Sequence, residues 1–277
     1  MMPRPGFVQE VDRSTPPQLF WRGENFSLEK LPADRSRVIY APEPHDPIKD
    51  IDGAIRHALL NPIDSDPLPE LLFPGMKLTI AFDDVSLPLP KMTRPDIRQR
   101  VIEAVLDLAA DAGVDDVHII AALALHRRMT EEELRHALGD RVYDAFAPRG
   151  TLYQHDAEDP DNLAFLGATP EGEEVEINKR AAESDLLVYV NINLVAMDGG
   201  WKSTATGLTS YRSLRHHHNP QTLLHSNSLM DQHRSELHKS NWRMGKIMRD
   251  NGPKIFQIET TLNNDAFPEP FGFLGKR

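Results

Sequence analysis

One feature narrows the choice of fold more than any other: two short apolar runs separated by a helical stretch. Residues 77–82 (KLTIAF) form the first run, which ends at two aspartates, and residues 116–123 (DVHIIAAL) form the second. Between them, residues 94–114 carry apolar side chains at helical spacing, with Thr93 as the expected N-cap and Gly113 as the stop signal. A strand–helix–strand unit of this kind joins parallel strands, so the segment predicts a parallel sheet.

The pattern continues along the chain. Thr130 and Glu133 have the spacing of a capping box and predict a short helix behind the second strand. Residues 186–193 (LLVYVNIN) and 254–262 are further strand candidates, and a longer helix is expected near residues 228–249. Together these elements predict an α/β fold, an open and mostly parallel sheet with flanking helices.

The prolines suggest where the domains divide. Most of the 22 prolines lie before residue 100 or near the end of the chain. We therefore expect residues 1–75 to form an irregular, Pro-rich N-terminal region packed on the core, with one short helix at 48–60. Residues 76–277 are expected to form the α/β domain.

Composition excludes several classes of protein. The formal net charge of −11 argues against nucleic-acid binding, because an acidic surface repels phosphate backbones. Cysteine is absent, so a transition metal would need histidines, carboxylates or a cofactor as ligands. No apolar run reaches the roughly 18 residues of a membrane span, and the N-terminus lacks the apolar stretch of a signal peptide. These features predict a cytoplasmic protein that does not bind membranes.

Ligands of open parallel sheets collect at the carboxyl ends of the strands. Asp84 and Ser86 follow the first predicted strand and could hold a sugar or a cation, although turn capping is the more common role of such residues. His126 follows the second strand and could transfer a proton near neutral pH. Arg127 and Arg128 could bind a carboxylate; a surface loop with a helix cap explains this segment equally well.

A glycine pair and a histidine cluster follow the strand at 186–193. Gly199 and Gly200 allow a close backbone approach, and Lys202 then projects from a strand-to-helix turn, as a phosphate ligand, a covalent anchor or a solvated lysine. Adjacent histidines at 216–218 point in different directions, so at most one or two of them could share a metal. The later histidines His225, His233 and His238 are expected at the surface.

Taken in order, these segments resemble the lactate racemase family, whose cofactor is a nickel-pincer nucleotide. The resemblance covers about residues 75–260. Its blocks are an Asp-rich strand end, a His-Arg loop, an Asn-His-Asp-like segment with a Gly-x-Thr-like turn, a Gly-Gly-x-Lys turn and a downstream histidine. Here they read DDVSLPLP (83–90), ALHRRMTEEE (124–133), QHDAEDPDNLAFLGATPEG (154–172), DGGWKS (198–203) and HHHN (216–219).

The resemblance implies a fold like the N-terminal catalytic domain of that family and a racemase or epimerase acting on a 2-hydroxy acid. It also implies a pyridinium-3,5-bisthiocarboxylic acid mononucleotide that carries nickel and accepts the substrate hydride. The roles carried over by position are tethering of the cofactor by Lys202, nickel ligation by His218, acid–base catalysis by His126, cofactor binding by Asp84, Ser86, Gly199 and Gly200, and substrate binding by Arg127 and Arg128.

Four departures from the family pattern stand out. The second acid–base histidine falls at Ile192, the arginine of the first block is Leu87, and the glycine two residues before His126 is Ala124. The family's C-terminal domain is also expected to be absent, which suggests a second subunit in its place or a homo-oligomer. The alternatives to an isomerase are therefore a diverged ligand-binding or regulatory module, one subunit of a split enzyme and, less favoured, a hydrolase with a metal on the histidine cluster.

Overall fold

A computed structural model describes residues 8–22, 25–40, 45–85, 91–263 and 266. The strands are, in chain order, β1 (Val8–Glu10), β2 (Gln18–Arg22), β3 (Asn25–Glu29), β4 (Arg37–Ile39), β5 (Lys77–Asp83), β6 (Asp116–Ala122), β7 (Leu152–Gln154), β8 (Leu163–Ala168), β9 (Glu174–Asn178), β10 (Leu186–Asn193) and β11 (Lys254–Thr261). The α-helices are α1 (Ile51–Leu60), α2 (Leu68–Leu71), α3 (Ile97–Asp111), α4 (Glu131–Phe146), α5 (Lys179–Ala182), α6 (Trp201–Gly207), α7 (Tyr211–Leu214), α8 (Pro220–His225) and α9 (Glu236–Asn251).

The chain divides into two compact units. The first comprises Met1–Pro47, Leu87–Thr93 and Asn263–Arg277, and the second comprises Ile48–Ser86 and Arg94–Leu262. In the first unit, β1 pairs with β4 and β2 pairs with β3, both antiparallel. The sequence predicts an irregular N-terminal region, but part of this region is regular. Its four short strands satisfy their backbone hydrogen bonds in two pairs.

The second unit contains a five-stranded sheet in the order β11-β10-β5-β6-β7. All four pairings are parallel, so the α/β class predicted from the sequence is confirmed. The chain runs outward from β5 through β6 to β7 and later places β10 on the other side of β5. The carboxyl ends of β5 and β10 therefore flank a topological switch point, which is where open α/β sheets bind their ligands.

Alternating side chains of the buried strands pack into two apolar clusters. Leu78, Ile80 and Phe82 of β5 belong to a cluster with side chains of α3 and α4. Ala81 belongs to the other, which includes Met244 of α9 and residues of α6. This alternation follows from the two-residue period of a strand and places helices against both faces of the sheet.

The helix boundaries differ from the expected ones at the start of α3 and at the start of α9, which begins at Glu236 and not near residue 228. Helix α3 begins at Ile97 and its N-cap is Asp96, not Thr93. The buried Asp96 carboxylate accepts a hydrogen bond from the Arg98 N–H, which a hydroxyl three residues earlier cannot do. Helix α1 and the capping box of Thr130 are confirmed. Within the described residues, no helix combines the length and apolar character needed to cross a bilayer.

Candidate functional site at the switch point

The carboxyl end of β5 is tied to β10 by the Asp83 side chain. Its Oδ2 accepts a hydrogen bond of 2.7 Å from the Ile192 backbone N–H, and its Oδ1 accepts one of 3.1 Å from the Tyr189 hydroxyl. Burial raises the pKa of Asp83 to about 6, although these hydrogen bonds oppose the change. Asp83 therefore connects the two strands that flank the switch point.

The next residue, Asp84, accepts a hydrogen bond from His126, in the loop that follows β6. The His126 Nδ1 lies 3.0 Å from the Asp84 Oδ2. This bond raises the pKa of His126 above its ordinary value, while desolvation of the ring and the charge of Lys202 act in the opposite direction. An ionised carboxylate only accepts hydrogen bonds, so Nδ1 carries the proton and Nε2 is the nitrogen that can take a proton from a ligand.

A left-handed turn places His126 at this position. The strand β6 ends at Ala122, and Ala124 then adopts a φ of 51°, a conformation that costs an alanine energy and a glycine little. The His126 backbone N–H bonds to the Leu123 carbonyl at 2.8 Å and closes the turn. Ala124 stands where the resembled family has glycine, and its positive φ gives the physical reason for that glycine.

Lys202 projects from the first turn of α6, behind the glycine pair. Gly199 and Gly200 have φ values of 91° and 59°, which only glycine adopts readily. The Lys202 Nζ donates a hydrogen bond of 2.9 Å to the Asp198 Oδ1. Both side chains are mostly shielded from solvent, with exposed fractions of 22% and 14%. The lysine is therefore held in one place by the loop that precedes it.

Glu259 of β11 holds the glycine turn against the sheet. Its Oε1 accepts a hydrogen bond of 2.9 Å from the Gly200 N–H. Its Oε2 accepts bonds from the amides of Asn191 at 2.6 Å and Asn193 at 2.8 Å. These two asparagines flank Ile192, where the resemblance described above implies a second acid–base histidine. In this chain a cluster of two amides and one carboxylate lies beside that position.

The three histidines at 216–218 follow α7 and differ in burial and in hydrogen-bond partners. His217 is buried, with its Nε2 3.2 Å from the Ala205 carbonyl oxygen of α6. Burial, and then His218, lower the pKa of His217 to about 3. His218 is exposed, and its Nδ1 lies 2.8 Å from the Nδ1 of His217. His216 turns the other way and accepts a hydrogen bond from the Glu174 N–H.

Lys202, His126 and His218 interact through their charges. Partial desolvation of the His218 ring lowers its pKa, and the positive charges of Lys202 and His126 lower it further. Lys202 also acts on His126 in the same direction. These effects connect three side chains that are spread over more than ninety residues of sequence.

Arg127 and Arg128 lie beside this site, and both have acidic partners. Arg127 makes a two-bond pair with Glu133, at 2.6 and 2.8 Å, and Arg128 makes one bond of 2.9 Å to Asp156. Ser86 and Leu87, the remaining residues expected at the strand end, lie outside the described residues. Within the described part of the chain, no group of three or more His, Cys, Asp or Glu side chains could hold a metal ion.

One expectation about the histidines is wrong. His238 is buried on α9 rather than at the surface, whereas His225 and His233 are exposed as expected. The His238 Nε2 lies 3.1 Å from the Met197 carbonyl oxygen, and the charge of Lys202 contributes to the lowered pKa of His238. The sequence around His238 is polar, so its burial could not be predicted. The residue is buried because the face of α9 that packs on α6 includes polar side chains.

Comparisons with known proteins identify relatives over the same region. The family model of the lactate racemase N-terminal domain matches residues 23–231. A lactate racemase of Lactiplantibacillus plantarum is 30% identical over 168 residues, and one of Thermoanaerobacterium thermosaccharolyticum is 28% identical over 173 residues. Each alignment covers 59% of this chain and 37% of the relative, so the chain spans well under half the length of these relatives.

Two solved structures share the fold. The lactate racemase apoprotein from Thermoanaerobacterium thermosaccharolyticum superimposes with a TM-score of 0.62 at 20% identity, over 84% of this chain and 55% of that one. A crystal structure from Thermotoga maritima superimposes with a TM-score of 0.56 at 18% identity, over 77% and 50% of the respective chains. At these identities the superpositions establish the fold.

Proposed function

The chain belongs to the lactate racemase N-terminal domain family, and we propose that it acts as a racemase or epimerase on a 2-hydroxy acid, with a nickel-pincer nucleotide as cofactor. The observation that supports this proposal is the effect of the Lys202 charge on the pKa values of both His126 and His218, together with the bond from His126 to Asp84 and the glycine turn before Lys202. A proton-transfer group, an amine and an imidazole ligand are what this chemistry requires from the protein.

The side chains of the site fit the cofactor. Lys202 would tether it. Gly200, whose Cβ position is open, leaves room for its close approach to the backbone, and Gly199 packs against Asn193 and Glu259 in the same turn. The exposed His218 would supply one imidazole to nickel, a metal that imidazole suits. Asp84 would contact the nucleotide or keep His126 in place, and Ser86 is proposed to contact the nucleotide. When bound, the group supplies the acceptor for the substrate hydride.

His126 is the proposed acid–base residue. Its Nδ1–H bond to Asp84 fixes the tautomer, so Nε2 takes the proton of the substrate hydroxyl and later returns it. Because Asp84 raises the pKa of His126, the neutral base form requires a pH above the raised value. Activity is therefore expected to increase with pH through the titration of His126.

Arg127 and Arg128 are the proposed contacts of the substrate carboxylate. A guanidinium has five N–H donors, and the bond from Arg128 to Asp156 uses one of them. Both terminal nitrogens of Arg127 donate to the Glu133 carboxylate, so a substrate carboxylate would have to displace Glu133. Arg128 is thus the better placed of the two.

A second candidate function is a ligand-binding or regulatory module of the same fold, alone or as part of a split enzyme. The cluster of Asn191, Asn193 and Glu259 beside Ile192 favours it, because no imidazole stands at that position. An amide does not transfer protons at neutral pH. It stays a prediction that a second subunit takes the place of the family's C-terminal domain or that the chain forms a homo-oligomer.

The test is purification of the chain from a host that makes the cofactor, followed by intact-mass and nickel analysis. The proposal predicts an adduct on Lys202, bound nickel and interconversion of the enantiomers of a 2-hydroxy acid, followed by chiral chromatography. Lys202→Ala should lose the adduct, while Lys179→Ala, on the exposed surface of α5, should keep it. An adduct without turnover favours the binding module, and an unmodified Lys202 without nickel contradicts both the cofactor and the reaction.

A further inference from the structure

His217 and His218 form a relay, that is, a chain of two hydrogen bonds whose donors and acceptors can be assigned. The relay begins at the Ala205 carbonyl oxygen, 3.2 Å from the His217 Nε2, and continues through the 2.8 Å contact between the two Nδ1 atoms. His217 is 1% exposed, whereas His218 is exposed. The relay therefore leads from the interior, at α6, to the open site.

The carbonyl end determines where the protons lie. A carbonyl oxygen can only accept, so the His217 Nε2 must carry the hydrogen of that bond. The buried ring stands next to a second imidazole with no carboxylate bonded to it, which keeps it neutral. A neutral imidazole has one N–H, so the Nδ1 of His217 is an acceptor.

The same logic assigns the tautomer of His218. The short contact requires one donor and one acceptor, and the Nδ1 of His217 is the acceptor. The Nδ1 of His218 is therefore the donor, and its Nε2 keeps the lone pair.

We propose that His217 is a positioning residue that holds His218 in the Nδ1–H tautomer and so presents its Nε2 lone pair as a metal ligand. This inference deepens the proposed function, on which the identity of the metal rests. Metal-ligating histidines commonly donate their other N–H to a fixed acceptor, which sets the ring orientation and the basicity of the ligand. Here the acceptor is another imidazole, itself held by the helix that carries Lys202.

Substitution at His217 should act through the tautomer and not only through packing. His217→Leu removes the acceptor, so His218 should lose its fixed tautomer. His217→Asn places an amide oxygen near the former Nδ1 and should restore the acceptor. His216→Gln is the matched control, because that ring faces Glu174 instead of the site. Thermal unfolding of each variant reports whether the fold is kept.

The experiment is a long-range ¹H–¹⁵N correlation spectrum of the histidine-labelled apoprotein, in which protonated and unprotonated ring nitrogens have well-separated shifts. We expect the His218 Nε2 to be unprotonated in the wild type, His217→Asn and His216→Gln, and exchange between tautomers in His217→Leu. In protein loaded with the cofactor, His217→Leu should weaken nickel binding by roughly 10- to 100-fold.

A wild-type spectrum with the proton on the His218 Nε2 overturns the inference, and so does an unchanged spectrum in a folded His217→Leu variant. If His217→Leu does not fold, the wild-type spectrum alone still decides. The apoprotein contains no nickel, so this result does not depend on the proposed function. Absence of nickel from the loaded protein would contradict that function while leaving the tautomer assignment in place.

Discussion

The pair of Asp96 and Arg98 offers the sharpest stability prediction for the site. Both side chains are buried, with exposed fractions of 0% and 3%. The Arg98 Nε and Nη2 bind the carboxylate at 2.9 and 2.7 Å, and its Nη1 donates to the backbone carbonyls of Asp83 and Asp84. The pair therefore holds the strand end that carries the partner of His126.

Asp96→Asn is the informative change, because asparagine keeps the N-cap of α3 and nearly the same shape. It removes the negative charge and leaves the Arg98 guanidinium buried without its counterion. Breaking a buried ion pair on one side costs about 3–5 kcal/mol, and the retained amide oxygen places the expected loss near the lower figure. Each kcal/mol corresponds to about 2–4 °C in Tm for a unit of this size, so a fall of roughly 6–12 °C is expected.

The assay is urea and thermal unfolding of the wild type, Asp96→Asn and a control on helix α1. Asp52→Asn breaks the 2.7 Å pair with Arg100, whose partners are 73% and 27% exposed. An exposed pair contributes at most about 1 kcal/mol, so this control should unfold almost like the wild type. An Asp96→Asn variant that loses no more stability than Asp52→Asn would refute the assigned role of burial.

Three further predictions concern the carboxyl edge of the sheet. Asp84→Asn should lower the pKa of His126, measured by NMR titration, because the hydrogen bond that raises it loses its charge; an unchanged pKa would argue against the contact. Gly199→Ala should destabilise the protein by about 1–2 kcal/mol in urea unfolding, because its φ is 91° and its new Cβ would lie 2.8 Å from the Glu259 Oε2. Folding raises the pKa of Asp83 from 3.8 to about 6, so the native state holds an extra proton between these values, and the free energy of unfolding should fall by about 3 kcal/mol in all as pH rises from about 3 to about 7. Asp83→Asn should lack this component, and equal pH slopes would contradict it.

The sheet was predictable because its central strands are buried on both faces. Strands β5, β6 and β10 read as nearly continuous apolar runs. These three strands and the more polar edge strand β11 all lie close to their predicted bounds. Strand β7, only three residues long at the sheet edge, has too short a run to stand out. The start of α3 was missed because both Thr93 and Asp96 are good N-cap residues, and only the partner, Arg98, distinguishes them.

The site was predictable only where its residues follow a strand in the sequence. His126 and Lys202 could be singled out because they follow a strand and a glycine pair, and His218 only because the resemblance to the family implies a metal ligand at that interval from Lys202. Glu259 could not, since it binds the glycine turn across 59 positions of sequence and looks like an ordinary strand residue. His238 was missed for a related reason: its burial depends on how α9 packs against the loop that precedes α6.

The most direct measurement of the central claim, that Lys202, His126 and His218 share one site, is the pKa of each histidine in Lys202→Met. The charge of Lys202 lowers both pKa values, so its removal should raise both in an NMR titration of the apoprotein. Lys246→Met, which removes an exposed lysine of α9, should leave both unchanged. If neither histidine responds to Lys202→Met, the three side chains do not face a common site and the proposed chemistry loses its basis.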